Sequence, residues 1–218
     1  MGRRLKLVAG SLLGACLAAL ALFGSVLRQP VARADTTTVS AEHRVCPAGC
    51  TYSSIQAAVD AAQPGDVIKV AEGTYTDVHH IPSLDTSTFT ASQIVAITKA
   101  VALRGGYSTS NWAEPDPASN PTLLDARGVG RAVLISGTAD ATLTGLRITG
   151  GDASNLGGTP WGEGVGGGVC VLNASATISG SHVSSNTATA YGGGLYLDNS
   201  PITLSNSTIS NNTASRRG

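Results

Sequence analysis

The triplet Gly166-Gly167-Gly168 returns 26 residues later as Gly192-Gly193-Gly194, and the residues after each triplet match one for one. Val169 aligns with Leu195, Val171 with Leu197, Ile178 with Leu204 and Val183 with Ile209. Asn173, Thr177, Ser179, Ser181, Ser184, Asn186, Thr187 and Ala188 recur as the same residue type. A fixed period of this length means one supersecondary unit stacked on its copies. Within a unit the apolar residues stand singly or at alternate positions among Ser, Thr, Asn and Gly, the pattern of short strands. Nothing in the repeat has helical i, i+3, i+4 spacing. Three short strands with Gly and Asn corners fill roughly 22–26 residues at ~3.3 Å each, which predicts one coil of a parallel β-helix.

The Gly triplets suit corners where φ is positive or backbones approach closely. Asn186 and Asn212 share a corner where Asn tolerates the left-handed conformation, and their amides are placed to form a ladder between coils. The pattern extends backwards: Ala141 to Gly145 aligns with Ala176 to Gly180, and Ile148 falls opposite Val183. The surplus residues there, Gly151 to Val165, read as a loop bulging from the coil. Val67-Ile68-Lys69-Val70 and Val101 to Gly106 read as strands of earlier, less regular coils. Ser53 and Gln56 fit a capping box. Ile55, Ala58, Val59 and Ala62 follow at helical spacing, and Gln63-Pro64-Gly65-Asp66 stops the run. This short helix would cover the open end of the first coil.

Met1 to Lys6 is basic, Leu7 to Leu27 almost wholly apolar, and Ala32-Arg33-Ala34 is a small-x-small site. That is the form of a secretory signal peptide cut before Asp35. An uncleaved anchor and a lipoprotein signal at Cys16 are the rival readings, and all three put the chain outside the cytoplasm. Removing residues 1–34 takes away five cations and no acid, leaving nine cations against 14 acids. A mildly acidic chain without a basic cluster argues against nucleic acid as partner, and a membrane is expected only at the N-terminal segment. Cys46 and Cys50 either close a small disulfide outside the cell or stay as two thiols. Cys170, in phase with Tyr196, is left over and should face away from the core.

The run Tyr52 to Tyr75, continued by Ile97 to Gly106, closely resembles the opening of secreted right-handed parallel β-helix proteins of the pectin-lyase-like superfamily. Asn199 to Leu204, Ser210 to Ala214 and the Gly triplets resemble repeats of bacterial polymorphic outer-membrane proteins. Here Val169 or Leu195 follows a third Gly, and Val183 and Ile209 take the place of a Phe. The resemblance implies an all-β fold, a right-handed parallel β-helix (solenoid) with an N-terminal capping α-helix. Its parts would be a signal peptide 1–34, an N-terminal segment 35–51 and a β-helix 52–218. Within the last, the cap spans 52–63, irregular coils 67–135 and regular coils 136–215. The chain stops at Arg216-Arg217-Gly218 without a capping element, which reads as an N-terminal fragment or a broken reading frame.

Enzymes of that superfamily need clustered or paired carboxylates on an outer face. Here the outward positions are Ser, Thr and Asn, and Asp152, Glu163 and Asp198 are scattered. Arg147, His182 and Thr208 form one outward stack. His79 and His80 are adjacent on a strand and point oppositely, so no metal site is expected, and no cofactor. Trp112 and Trp161 sit in Pro- and Gly-rich loops, where binding residues concentrate. Either each stacks on a sugar beside a carboxylate, Glu163 in the second case, or it folds back over the coil as a lid. The chain is therefore expected to be a secreted or cell-surface, non-catalytic adhesin- or passenger-like scaffold contacting polysaccharide or cell-surface glycans. The alternative is the N-terminal part of a polysaccharide lyase or glycoside hydrolase.

Overall fold

Small aliphatics alternating with Ser, Thr and Asn make short strands, and in the computed structural model these strands stack almost entirely in parallel. The structure describes residues 40–81, 91–154, 156 and 163–216. The expected signal segment and Trp161 lie outside the described residues.

β1 (Glu42–Val45) precedes the helix α1 (Ile55–Ala61), and β2 (Val67–Ala71), β3 (Gly73–Tyr75) and β4 (His79–Ile81) follow. Two rungs come next, β5 (Ala91–Ile97), β6 (Ala102–Tyr107) and β7 (Thr122–Asp125), then β8 (Arg131–Ser136), β9 (Asp140–Thr144) and β10 (Leu146–Thr149). The third is β11 (Val169–Leu172), β12 (Ser175–Ser179), β13 (His182–Ser184) and β14 (Thr187–Ala188). The last is β15 (Leu195–Asp198), β16 (Ile202–Ser205), β17 (Thr208–Ser210) and β18 (Thr213–Ala214). Each rung gives one strand to each of three sheets, ordered β1-β2-β6-β9-β12-β16, β3-β7-β10-β13-β17 and β4-β5-β8-β11-β15. The fold is all-β and consistent with a β-solenoid. Among the described strand pairs only β4 against β5 is antiparallel, and an isolated antiparallel bridge joins Ser108 to Asn111.

The 26-residue period is the rung itself. Val169 pairs with Leu195, Ile178 with Leu204 and Val183 with Ile209. Leu143 pairs with Ile178 and Ile148 with Val183, and the loop expected over Gly151 to Val165 keeps its two ends in the ladder, with Asp152 paired to Thr187 and Val165 to Tyr191. Ile68, Leu103, Leu143 and Ile178 make one fully buried inner column. Leu204 continues it but is 45% exposed, because the last rung has no described neighbour beyond it.

α1 packs against β1, β2 and β5, with Ile55, Ala58 and Val59 buried. The expected capping box is not formed. Ser54, not Ser53, is the N-cap, and its Oγ accepts from the Ala57 N–H at 3.4 Å. Gln56 thus sits one position too early to reach back, and its amide has another partner. Its Oε1 accepts from the Ala96 N–H at 2.6 Å and its Nε2 donates to the Ala96 carbonyl at 3.3 Å. The side chain supplies what a neighbouring strand would supply to β5 beyond the reach of β4.

The corners divide their labour more finely than expected. In each triplet the first residue takes positive φ, Gly166 at 66° and Gly192 at 59°. The second is a close approach: a Cβ on Gly167 would stand 2.1 Å from the Thr187 carbonyl oxygen. At the Asn corner the left-handed residues are Ser185 and Asn211, not Asn186 and Asn212 as expected. Freed from that duty, Asn186 is fully buried and donates through Nδ2 to Asn212 Oδ1 at 2.9 Å, while its Oδ1 accepts from Gly151 N–H at 2.8 Å. The ladder forms one residue after the turn that makes room for it.

Candidate ligand-binding groove

Alternation along β1 turns Glu42 and Arg44 outward, and parallel register then fixes what lies beside them. Arg44 pairs with Lys69 of β2, and Lys69 with Arg104 of β6. The same column continues as Thr144, Ser179 and Ser205. Glu42 bridges the first two cations, with Oε1 2.6 Å from Arg44 Nε and Oε2 2.6 Å from Lys69 Nζ. Hydrogen bonding from Lys69 holds the Glu42 carboxyl below its ordinary range against an opposing desolvation, with Arg44 adding to the effect. Arg104 is exposed and has no ion pair or hydrogen-bond partner among the described residues.

An aromatic platform adjoins this column. The ladder slips between Lys69 and Ala71, whose partners on β6 are Arg104 and Tyr107, because Gly105 and Gly106 form a bulge there. Gly106 has φ of 90°, a conformation open to Gly at no steric cost. Tyr107 is buried beneath Trp112, with ring centroids 5.9 Å apart and planes at 21°. The Arg44 guanidinium stands 5.3 Å from the Trp112 ring centre, and Lys69 Nζ 5.2 Å from that of Tyr107. Lys69 also donates to the Trp112 carbonyl at 2.6 Å, and Trp112 Nε1 donates to the Thr109 carbonyl at 3.2 Å. The loop is stiffened further by Asn111 Oδ1, which accepts from the Ala113 N–H at 3.0 Å.

Opposite this loop, Cys46 and Cys50 are disulfide-bonded with Cα atoms 5.6 Å apart. Between the two loops lies a groove of about 310 Å³ lined by Arg44, Cys50, Thr51, Thr109 and Trp112. Trp112 folds back on Tyr107, as the lid reading expected, and its partly exposed ring also borders the groove. The charged group at the ring is a guanidinium rather than the carboxylate expected from its sequence neighbours.

The other sequence candidates lie elsewhere. Glu163 pairs with Arg216, far along the chain from the Trp112 groove. Arg147, His182 and Thr208 do share one outward, exposed column. Cys170 lies off the main core, as its phase predicts, but is fully buried rather than on a surface. It joins Leu134, Val165 and Ala190 in a small second cluster beneath the returning end of the inserted segment. Burial pushes its thiol up to about 11, which makes it a poor nucleophile.

A second cavity, of about 180 Å³, is lined by Ser54, Ile55, Tyr75, Asp77 and Ile94 among others, with His79 beside it. Ser54 Oγ and Asp77 Oδ2 lie 3.1 and 3.2 Å from the same His79 nitrogen, Nε2. A serine–histidine–carboxylate relay needs one ring nitrogen to accept from the serine while the other is held by the acid. One atom cannot serve both, so this cluster anchors the cap. His80 points the other way, its Nδ1 2.7 Å from Ser92 Oγ. Among the described residues no group of three or more His, Cys, Asp or Glu is placed to hold a metal ion. Comparison of the chain with family models, curated proteins and solved structures finds no match.

Arg44 of the groove, and Lys69, Arg104 and Tyr107 on the strands beside it, are not among the sequence candidates. Their one signal was phase. Each cation stands next to an inward residue (His43, Ile68, Leu103) and so faces outward.

Proposed function

We propose that this chain is a secreted or cell-surface, non-catalytic right-handed parallel β-helix of the pectin-lyase-like kind, an adhesin- or passenger-like scaffold that contacts carbohydrate through the Trp112 groove. The observation that carries this reading is the partly exposed Trp112 ring, stacked on Tyr107 and bordering an open groove. A rigid aromatic face with polar neighbours suits the apolar face of a sugar ring. An extracellular site accords with the basic, apolar and small-x-small order of the N-terminus and with a disulfide beside the groove.

The test is a glycan-binding screen of the full chain beside Trp112→Ala. Loss of one stacking face should weaken binding about tenfold at unchanged circular dichroism, ~1.5 kcal/mol being the upper range for such a contact. Absence of any glycan bound by the parent chain, or equal binding by the variant, overturns the reading.

A further inference from the structure

We infer that the outer face of β9, β12 and β16 is a binding surface for ice, its Thr and Ser hydroxyls forming a net that meets the ordered water of a crystal face. Binding of ice here needs nothing from the Trp112 groove and is a second function of the chain.

Ala141, Leu143, Ala176 and Ile178 are buried, so alternation turns the residues between and after them outward. Thr142 pairs with Thr177, and Thr177 with Thr203. Two residues on, Thr144 pairs with Ser179, and Ser179 with Ser205. The hydroxyls therefore stand in two parallel rows across three strands, half-buried on β9 and β12 and exposed on β16. Strands ~4.8 Å apart and alternate residues ~6.6 Å apart make a rectangular net, the scale on which water oxygens repeat over a prism face of ice. The net is stiff. Its strands are laddered in unbroken register, its threonines are restricted at χ1, and Thr144 Oγ1 lies 3.1 Å from Ser179 Oγ. Each hydroxyl can donate and accept, which is what a water lattice asks of a surface. The charges next in register stay at the margins: Arg104 precedes Thr144 in its row, and Asp140 is held by Ser175 Oγ at 2.8 Å. An uncharged net complements a neutral lattice and gives an ion or a charged polymer nothing to pair with. The other outer walls lack this regularity. On the neighbouring sheet one column runs Leu123, Arg147, His182, Thr208, and on the third Leu134 and Cys170 are covered.

Two measurements test this: grain growth in a frozen sucrose film, and the shape of a single ice crystal held just below its melting point. The full chain should arrest grain growth and facet the crystal at a concentration where serum albumin does neither. Thr177→Tyr places a ring clear of the middle of the net, and loss of surface complementarity should raise the concentration needed for arrest about tenfold at unchanged circular dichroism. His182→Tyr adds an equally large ring at an exposed position of the neighbouring sheet and should arrest growth as the parent does. Thr203→Tyr, exposed on β16, gives the same reading should Thr177→Tyr fail to fold. Grain growth in the presence of the folded parent equal to that with albumin overturns the ice surface. Arrest undiminished in the folded Thr variant overturns it too, and so does an equal loss in His182→Tyr, which would show that the effect does not belong to this face.

Discussion

Asp66 is surrounded by donors. The Gln63 N–H reaches Oδ2 at 2.8 Å, His43 Nε2 reaches it at 3.0 Å, and the Ala41 N–H reaches Oδ1 at 2.8 Å. Those bonds, with the Gln63 amide first, then His43 and Ala41, hold its carboxyl below the ordinary value of 3.8. A depressed folded pKa adds stability that is present above the unfolded value and lost as pH falls through the folded one. The melting temperature should therefore be flat near neutrality and drop below about pH 4. Asp66→Asn should be ~1–2 kcal/mol less stable at pH 7, with a shallower acid limb in a thermal melt series. An acid limb as steep in the variant as in the parent would assign acid sensitivity to other carboxylates. Asp66 also shows how single side chains join the cap to the ladder, since its donors come from the approach to β1 and from the end of α1.

At the scale of elements, α1 and the corners follow different rules from the strands. The strands were legible because their inward aliphatics repeat: Val169, Ile178 and Val183 name their own partners one period on. The cap was legible as a helix through Ile55, Ala58 and Val59, but its first residue was not. Gln56 has a partner 40 residues away at Ala96, and no local pattern reports a bond of that reach. The same reason hid the groove. Arg44, Lys69 and Arg104 are neighbours at unequal separations, because the early rungs carry α1 and long loops between their strands. Trp112 was visible by type and by its loop, whereas its Tyr107 brace depended on a bulge that periodicity cannot show. The Gln56 contact gives a test of the cap as an element. Gln56→Ala leaves the buried Ala96 N–H without its acceptor and should cost ~2 kcal/mol in denaturant unfolding. Gln56→Glu keeps the acceptor for the Ala96 N–H but sets a carboxylate oxygen against the Ala96 carbonyl and the Asp60 carboxylate, so at neutral pH it should unfold at least as easily as the Ala variant. If both variants unfold at the parent midpoint, the Gln56 amide adds nothing to the first rung.

Across the whole molecule, the stacked rungs make stability a sum of rung contributions and nearest-neighbour interfaces. Position along the axis should then decide the cost of one and the same substitution. Leu143 and Leu204 occupy the same inner column two strands apart, as β9-β12-β16 places them. Leu143 is fully buried between neighbours on both sides, while Leu204 is 45% exposed at the last described rung. Truncating Leu143 to Ala removes its buried methyl groups and leaves a cavity that rigid neighbours cannot close, ~2–5 kcal/mol. Truncating Leu204 to Ala forfeits about half a transfer term and opens no enclosed void, ~1 kcal/mol. Leu204→Ala should lower the unfolding midpoint only slightly. Leu143→Ala should shift the midpoint strongly. Equal losses at the two sites would mean that the inner columns do not act rung by rung, and the period would lose its energetic meaning.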